Sequence, residues 1–318
     1  MITLPWFKES LNLWQKAVSQ KRLPHALLLS GINGLGKSTL ALNMAHSAMC
    51  ENLTDKGVCH QCSACHLFKS GNHPDLIHIK AEKNTIKVDQ IRKLSQNITL
   101  TATRNQHKVI IIEKAELMNK SASNALLKTL EEPPANVVII LTTSEIGRLL
   151  ATIKSRCVKN VLSTPSTEQM SQWIHQETNE SKENISFSLL LASNSPLIAL
   201  FIIENTISSK VISMLSDLID LRKSSKNILE VSTDWSKSES YNYLNFIAAF
   251  LLKLIQAKAF NIKSNPVIEN HANKFIINQD STINILNFIH QIFIFMKRKE
   301  TVLKTDLLLE ELLINWGK

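Results

Sequence analysis

Short apolar runs and helical spacings alternate along the first half of the chain. Four runs are strand-like, namely 25–30, 75–80, 108–112 and 136–143. Most of them are continuous stretches of leucine, isoleucine and valine, which is typical of strands buried on both faces of a parallel sheet. Apolar residues recur at helical intervals in 7–19, 38–49, 88–98 and 121–134. This alternation predicts an α/β core in which helices flank a parallel sheet.

Beyond residue 162 the strand-like runs give way to helical spacing. Ser166 or Thr167 can cap a helix over 167–177, and two further helical segments follow at 186–193 and 196–203. We therefore divide the chain into three predicted parts. These are a core over 1–164 with an insert at 50–65, a small helical part over 165–206, and an all-helical part over 207–318.

The all-helical part is apolar on more than one helical face. Segments 240–260 and 281–300 show this most clearly, so their helices must bury against neighbours in this chain or in another. The run 292–295 taken alone also fits a buried strand, but the length of the surrounding apolar segment favours a helix. The polar stretch 262–280 is predicted to be a loop-rich insertion.

Composition limits the class of protein. With 318 residues and 44% apolar content, the chain is long enough for two or three packed domains. No apolar run approaches the roughly 20 residues that span a bilayer, and the start lacks the basic and apolar regions of a signal peptide. We expect a cytoplasmic protein without a membrane partner. The net charge of +9 is spread along the chain, so it fits either proximity to nucleic acid or a soluble basic protein.

Residues 31–38, with the sequence GINGLGKS, form a phosphate-binding loop by pattern and context. They match G-x-x-x-x-G-K-[ST] and stand between a strand-like run and a helical pattern. Three glycines, Gly31, Gly34 and Gly36, let the backbone amides face phosphate oxygens. Lys37 is predicted to meet the β- and γ-phosphates and Ser38 the magnesium, and Thr39 is assigned to the same site. The alternative is a glycine-rich turn that packs without nucleotide.

The end of the strand at 108–112 departs from a working P-loop ATPase. Such an enzyme carries Asp-Glu there, one to hold magnesium and one to polarise the attacking water. This chain has Glu113 and Lys114. Glu113 can still serve the metal, but a cation cannot act as the general base, so we expect poor hydrolysis. Thr142 and Thr143 end the next strand, and either is placed to present a hydroxyl near the γ-phosphate. The alternative, nearly as well supported, is that both threonines simply end the strand. We assign Thr143 to the nucleotide site.

Four of the five cysteines form a cluster with the spacing C-x8-C-x2-C-x2-C, namely Cys50, Cys59, Cys62 and Cys65. They lie on a polar loop that cannot bury enough apolar surface to order itself, so a structural zinc ion is predicted to hold it. An iron–sulfur cluster would expect a later cysteine before proline, which is absent here. His60 and His66 are possible substitute ligands. Four thiolates leave no open position for catalysis.

The order of these motifs resembles one protein family. The phosphate-binding loop, the four-cysteine insert, GNHPD at 71–75, SASNALLKTLEEPP at 121–134 and SRC at 155–157 together resemble the bacterial clamp-loader branch of the AAA+ ATPases. The resemblance is strong over roughly 5–165 and weaker beyond.

The resemblance implies a partner complex and a role for each part. In a clamp loader, gamma or tau subunits bind ATP and act with a delta subunit to open the sliding clamp and place it on primer–template DNA. It implies that Arg156 is an arginine finger acting on a neighbouring gamma or tau subunit, with Ser155 and Cys157 holding its loop. The 165–206 part is then the lid and the 207–318 part the collar. The chain would be a non-motor subunit with structural zinc, ATP or ADP with magnesium at a degenerate P-loop, and no polymerase site.

Three alternatives fit the sequence less well, because each needs residues that this chain lacks. A gamma/tau motor subunit would carry an acid in place of Lys114 and a phosphate-sensing arginine in place of Leu197. A free-standing P-loop kinase or nucleotide hydrolase would need its own acidic catalytic pair. A zinc-dependent DNA-binding module would need a basic recognition helix beside the cysteines, which this sequence lacks.

Overall fold

The computed structural model describes residues 4–54, 57–98, 107–259, 279–298 and 305–317. The chain forms two compact units, Met1–Pro165 and Ser166–Lys318. The further division of the second unit into a lid over 165–206 and a collar over 207–318 stays a prediction.

The first unit is built on a five-stranded parallel sheet. Its strands are β1 (Ala26–Ser30), β2 (Leu76–Ile79), β3 (Lys108–Ile112), β4 (Val137–Thr143) and β5 (Val158–Val161). They lie in the order β2-β3-β4-β1-β5, and every neighbouring pair is parallel. Ser30 at the end of β1 is opposite Thr143 of β4 and Val161 of β5. The ends of three strands therefore meet at one edge of the sheet, where ligands of open α/β sheets bind.

Six helices accompany this sheet: α1 (Lys8–Ser19), α2 (Lys37–Met49), α3 (Ser63–Lys69), α4 (Val88–Ile98), α5 (Lys120–Glu131) and α6 (Ala151–Arg156). Buried residues of α4, α5 and α6 form one apolar cluster with β1, β3 and β4. Helix α1 is attached to α2 by Trp14, whose indole Nε1 donates to the Met44 carbonyl at 2.8 Å. The prediction of a parallel sheet flanked by helices is confirmed.

Three short elements of this unit were not predicted. Helix α3 begins within the segment expected to be a polar loop and continues beyond it, and α6 and β5 lie between β4 and the end of the unit. All are brief, and β5 is an edge strand on which Val158 and Val161 are more than half exposed. Such elements carry too little apolar periodicity to be recognised. The polar stretch 99–107 before β3, for which the sequence predicts a loop, lies outside the described residues except for its last position.

In the second unit every described regular element is helical. The helices are α7 (Thr167–Thr178), α8 (Lys182–Leu191), α9 (Pro196–Glu204), α10 (Ile207–Arg222), α11 (Ile228–Lys237), α12 (Leu244–Ala259), α13 (Gln279–Arg298) and α14 (Thr305–Gly317). Ser166 caps α7 through a reciprocal capping box with Gln169. The run 292–295 is helical within α13, as expected. Of the predicted insertion at 262–280, residues 262–278 lie outside the described part and the last two begin α13.

The second unit has its own aromatic core. The Phe288 and Trp316 rings pack with centroids 4.5 Å apart, and the Trp316 Nε1 donates to the Leu218 carbonyl at 2.7 Å. The Arg222 guanidinium lies 3.9 Å from the centre of the Trp316 ring. These contacts join α10, α13 and α14. Within the described residues no lone helix is long and apolar enough to cross a bilayer; α8 and α9 meet that criterion only as a pair bent by 119°.

Candidate nucleotide and metal sites and the surface arginine

The phosphate-binding loop forms a tight backbone cradle between β1 and α2. Gly34 and Gly36 have φ angles of 69° and 97°, in the left-handed region that favours glycine. A Cβ atom at Gly31 would lie 2.9 Å from the Leu35 Cδ2 and 3.2 Å from the Leu162 carbonyl oxygen. A side chain at this glycine therefore has no room. This geometry matches what a loop needs if its amides are to approach phosphate oxygens.

Lys37 is only 7% exposed and makes internal hydrogen bonds with its ammonium group. The Nζ atom donates to the Gly31 carbonyl at 2.8 Å, the Ile32 carbonyl at 2.6 Å and the Ser144 Oγ at 2.9 Å. Burial lowers the pKa of Lys37 to about 8, although the charge of Glu116 acts in the opposite direction. A phosphate oxygen can therefore pair with the Lys37 ammonium only by replacing one of these internal acceptors.

Glu113 lies where a metal-holding acid of a P-loop ATPase would lie. Its Oε2 is 3.4 Å from the His78 Nε2 and 3.7 Å from the Lys80 Nζ, and Ser38 is also close to the carboxylate. The nearby His78 imidazole, more than any other group, lowers the pKa of Glu113 to about 2 against the opposing effect of burial. Glu113 is therefore ionised and lies close to Ser38. The Glu113 carboxylate and the Ser38 hydroxyl together offer oxygen ligands that suit magnesium.

Lys114 follows Glu113 in a left-handed backbone conformation, with φ of 50°. Its backbone N–H donates to the Thr142 Oγ1 at 3.1 Å, and its side chain is exposed. The Thr142 hydroxyl thus holds the end of β3 against the end of β4. The position after Glu113 carries an exposed cation instead of an acid, as expected from the sequence.

The hydroxyl that contacts Lys37 belongs to Ser144, one residue beyond the predicted Thr143. Thr143 is fully buried, and its Oγ1 accepts a hydrogen bond from the Glu145 backbone N–H at 3.1 Å. Thr39 is half-buried in the first turn of α2. The assignment of Thr39 and Thr143 to nucleotide stays a prediction.

Ser144 and Glu116 are two site residues that the sequence analysis missed. The Glu116 Oε1 accepts the Ser144 backbone N–H at 3.1 Å, and Glu116 is 9% exposed. In the sequence these two residues are marked only by their positions, since Glu116 shortly follows β3 and Ser144 directly follows β4. An acid at that place is not part of the Asp-Glu pattern, so it was not considered.

The four clustered cysteines converge on one point. Their Sγ atoms all lie within 4.8 Å of one another, with separations of 3.6 Å for Cys50–Cys59, 3.7 Å for Cys50–Cys65 and 3.9 Å for Cys59–Cys65. A tetrahedral zinc ion with bonds of about 2.3 Å requires sulfur–sulfur edges of about 3.8 Å. The donor set and its spacing therefore fit a metal ion bound by four thiolates.

Backbone hydrogen bonds and burial give these thiols different acidities. The N–H groups of Cys59, Cys62 and Cys65 each donate to the sulfur of the preceding cysteine in the cluster at 3.4 Å. Backbone N–H groups, with Gln61 first, lower the pKa of Cys59 to about 6. Burial raises the pKa values of Cys50 and Cys65. A metal ion would therefore displace protons from this site when it binds.

A stacked ring pair joins α2 to α3, the helix that carries Cys65. The buried His46 ring stacks on Phe68 of α3, with centroids 4.4 Å apart and an interplanar angle of 4°. His60 and His66 are exposed. Among the described residues the four cysteines are the group of metal-ligating side chains close enough to share an ion, and neither exposed histidine belongs to it.

Arg156 is the last residue of α6 and lies at the surface of its unit. Its Nη2 is 2.7 Å from the Glu131 Oε1, and its Nη1 donates to the Thr152 carbonyl at 3.0 Å and to the Ser155 Oγ at 3.4 Å. The side chain is 35% exposed, and that of Glu131 is 50% exposed. Cys157, the next residue, is buried in the cluster beneath the sheet. The buried cysteine anchors the end of α6, while the Arg156 side chain stays about one-third exposed and is held by residues of its own unit.

Comparisons with known proteins agree with this architecture. A family model described as "DNA polymerase III, delta subunit" matches residues 7–166. A DNA polymerase III subunit delta' from Pseudomonas aeruginosa is 37% identical over 198 residues, which cover 61% of this chain and 60% of that relative. A DNA polymerase III subunit gamma from Buchnera aphidicola is 38% identical over 149 residues, covering 47% of this chain and 41% of the relative.

One solved structure extends the likeness to almost the full chain. It is a DNA polymerase III gamma subunit-related protein from Thermotoga maritima, with a TM-score of 0.53, 19% identity, and coverage of 96% of this chain and 98% of that one. At this identity the match speaks for the fold alone. The match to the delta' relative spans about three fifths of that protein's length.

Proposed function

Because the chain belongs to the DNA polymerase III delta-subunit family, we propose that it serves as the delta' subunit of a replicative clamp loader. In this role it assembles with gamma or tau and delta subunits in the cytoplasm. It supplies Arg156 to ATP bound by a neighbouring gamma or tau subunit, and the complex places the sliding clamp on primer–template DNA. The observation that carries the proposal is that Arg156, at the end of an anchored helix, is one-third exposed and held by an exposed carboxylate that a phosphate can replace.

The geometry of Arg156 suits a group that acts on another molecule. Guanidinium is planar and permanently charged, and it binds phosphate oxygens in pairs. Arg156 is held by contacts with residues of α5 and α6, and it remains one-third exposed. A partner's phosphate can therefore reach it by exchange with Glu131 and with water. An arginine finger supplied by a neighbouring subunit stabilises the charge of the transition state for phosphoryl transfer.

The chain's own P-loop is proposed to bind nucleotide without turning it over. The cradle around Gly31 suits phosphates, Lys37 can pair with them, and Ser38 with Glu113 can hold magnesium. Magnesium bound there would neutralise phosphate charge. Lys114 cannot accept the proton of an attacking water, and this favours slow hydrolysis.

The four-cysteine cluster is proposed to be a structural zinc site. The sulfur separations fit a tetrahedral ion, and the insert around them buries little apolar surface of its own beyond Val58 and Ala64. Four thiolates would fill the coordination sphere. The zinc would then hold the loop between α2 and α3 in place without taking part in catalysis.

A gamma-type motor subunit is the second candidate, favoured by the 38% identity to the Buchnera gamma subunit. A motor would hydrolyse ATP at its own P-loop, which requires an acid where this chain has Lys114. ATP turnover by the purified chain alone separates the two candidates. Negligible turnover supports the delta' role, whereas vigorous turnover would support a motor.

Loosening the contact between Arg156 and Glu131 is expected to help the proposed trans action. In the Glu131→Gln variant the guanidinium loses its carboxylate partner at 2.7 Å. Releasing Arg156 so that it can bind a phosphate then costs less free energy. Exposed ion pairs contribute up to about 1 kcal/mol, so ATP turnover by the loader at limiting ATP should rise by up to about fivefold. Glu132→Gln removes an adjacent exposed carboxylate and is the control. A fall in turnover specific to Glu131→Gln would contradict the expectation.

Nucleotide binding by the isolated chain is expected to weaken above about pH 8. Burial lowers the pKa of Lys37 to about 8, so at higher pH the free lysine is neutral and must take up a proton to pair with phosphate. The affinity should then fall by up to about tenfold for each further pH unit. Calorimetry with ADP between pH 7 and 9.5 measures this. In Lys37→Arg the charge persists, so an equally steep decline in that variant would contradict the assignment.

A further inference from the structure

Glu116 is a buried acid beside the P-loop lysine that none of the assigned roles uses. It lies in the 3₁₀ turn Ala115–Leu117 that follows β3, and it is 9% exposed. One carboxylate oxygen, Oε1, accepts the Ser144 N–H at 3.1 Å. The other, Oε2, is buried and has no hydrogen-bond partner among the described residues. A carboxylate left half-satisfied in this way is costly to bury unless a cation lies nearby.

The nearby cation is Lys37, and Ser144 connects the two. The same serine donates its backbone N–H to Glu116 and accepts the Lys37 ammonium on its hydroxyl at 2.9 Å. Lys37 also donates to two carbonyls of the P-loop. The ammonium therefore donates to three internal acceptors, and the Glu116 carboxylate acts on it as an internal counter-charge.

This arrangement bears on which phosphates the loop accepts. In P-loop sites the backbone amides hold the α- and β-phosphates, and the lysine reaches between the β- and γ-phosphates. A γ-phosphate would thus extend beyond the loop toward the strand ends, where Ser144 and Glu116 lie. Glu116 is only 9% exposed, and two anions close together at a buried position repel each other more strongly than they do in open water. A nucleoside diphosphate ends before that position.

We propose that Glu116 selects against the γ-phosphate, so that this P-loop holds a nucleoside diphosphate in preference to a triphosphate. The inference rests on the proposed nucleotide site and names its ligand class. It also gives a second reason, besides Lys114, why this subunit would not cycle through ATP. Glu116 acts as a specificity residue at the far end of the site.

The test measures affinities of the full-length chain for Mg·ADP and for a Mg-bound, non-hydrolysable ATP analogue by calorimetry. Wild type should bind ADP at least about tenfold more tightly, since a difference of 1.4 kcal/mol in repulsion already gives that ratio. Glu116→Gln keeps a group that can accept the Ser144 N–H but removes the charge. It should bind the analogue about tenfold more tightly than wild type does, with a much smaller change for ADP.

Glu145→Gln is the matched control, because it removes an exposed carboxylate from the same strand-end segment. Its ratio of affinities should equal that of wild type. An unchanged ratio in Glu116→Gln would overturn the inference, as would equal binding of the two ligands by wild type. The wild-type ratio remains a test if the variant fails to fold.

The outcomes also separate this inference from the nucleotide site itself. ADP binding without discrimination against the analogue leaves the nucleotide site standing and overturns the role of Glu116. No binding of either ligand by wild type or by Glu116→Gln overturns both. Binding of the analogue by Glu116→Gln, where wild type binds neither, supports Glu116 as the excluding group.

Discussion

Replacing Arg156 with alanine is expected to slow ATP hydrolysis at the neighbouring subunit's site by about 10³–10⁵-fold, the usual effect of losing an arginine finger. The physical reason is that the Arg156 guanidinium would no longer stabilise the charge on the phosphoryl group as it is transferred. Because the Arg156 side chain is part-exposed and pairs only with surface groups, the variant should still fold and assemble. The rate is best measured in a reconstituted loader whose other ATP sites are disabled by replacement of their P-loop lysines.

Two variants make this test specific. Arg148→Ala removes another arginine from the same segment, one that is 58% exposed and paired with Glu145 at 3.3 Å, and it should turn over ATP like wild type. Arg156→Lys keeps the charge but loses the planar pair of donors, so it should remain strongly impaired. If Arg156→Ala and Arg148→Ala loaders hydrolyse ATP at the same rate, the finger assignment is wrong.

Loss of zinc from the cysteine cluster is expected to unfold the insert between α2 and α3. Structural zinc contributes about 10–16 kcal/mol to folding in small zinc-binding peptides, far more than a polar loop can recover from its own contacts. The purified chain should contain one zinc ion. In Cys59→Ser the metal should be lost and the segment from Cys50 to Cys65 should become sensitive to protease, while the sheet keeps its stability.

The fifth cysteine supplies the control for the zinc test. Cys157 is buried beneath the sheet and lies outside the four-cysteine group. Cys157→Ala should keep one zinc ion and a protected insert, even if the unit becomes less stable. A wild-type chain that is free of metal and yet resists protease in this segment would refute the structural role.

The regular core was largely predictable because its burial leaves a strong pattern. The β-branched run Lys108–Ile112 and the amphipathic segment Val88–Ile98 begin and end where the sequence indicated. Strands buried on both faces must be apolar throughout, and helices on a sheet must repeat their apolar residues every third or fourth position. Such constraints act on every residue of an element.

The details of the site were predictable only where a motif constrains them. The glycines and Lys37 follow from the pattern, whereas the contact of Lys37 with Ser144 depends on where β4 ends. Glu116 gave no signal because its partners are distant in sequence and it belongs to no recognised pattern. Likewise, the SRC triplet at 155–157 identified Arg156, whereas its ion pair with Glu131 depends on how α5 and α6 pack.

We propose above all that this chain completes a neighbour's ATP site and runs no ATP chemistry of its own. The most direct measurement is clamp-stimulated ATP turnover by this chain alone, by gamma/tau and delta subunits without it, and by all of them together. We predict negligible turnover by the isolated chain and a large increase when it joins its partners. Vigorous turnover by the chain alone, or no increase upon its addition, would contradict the account.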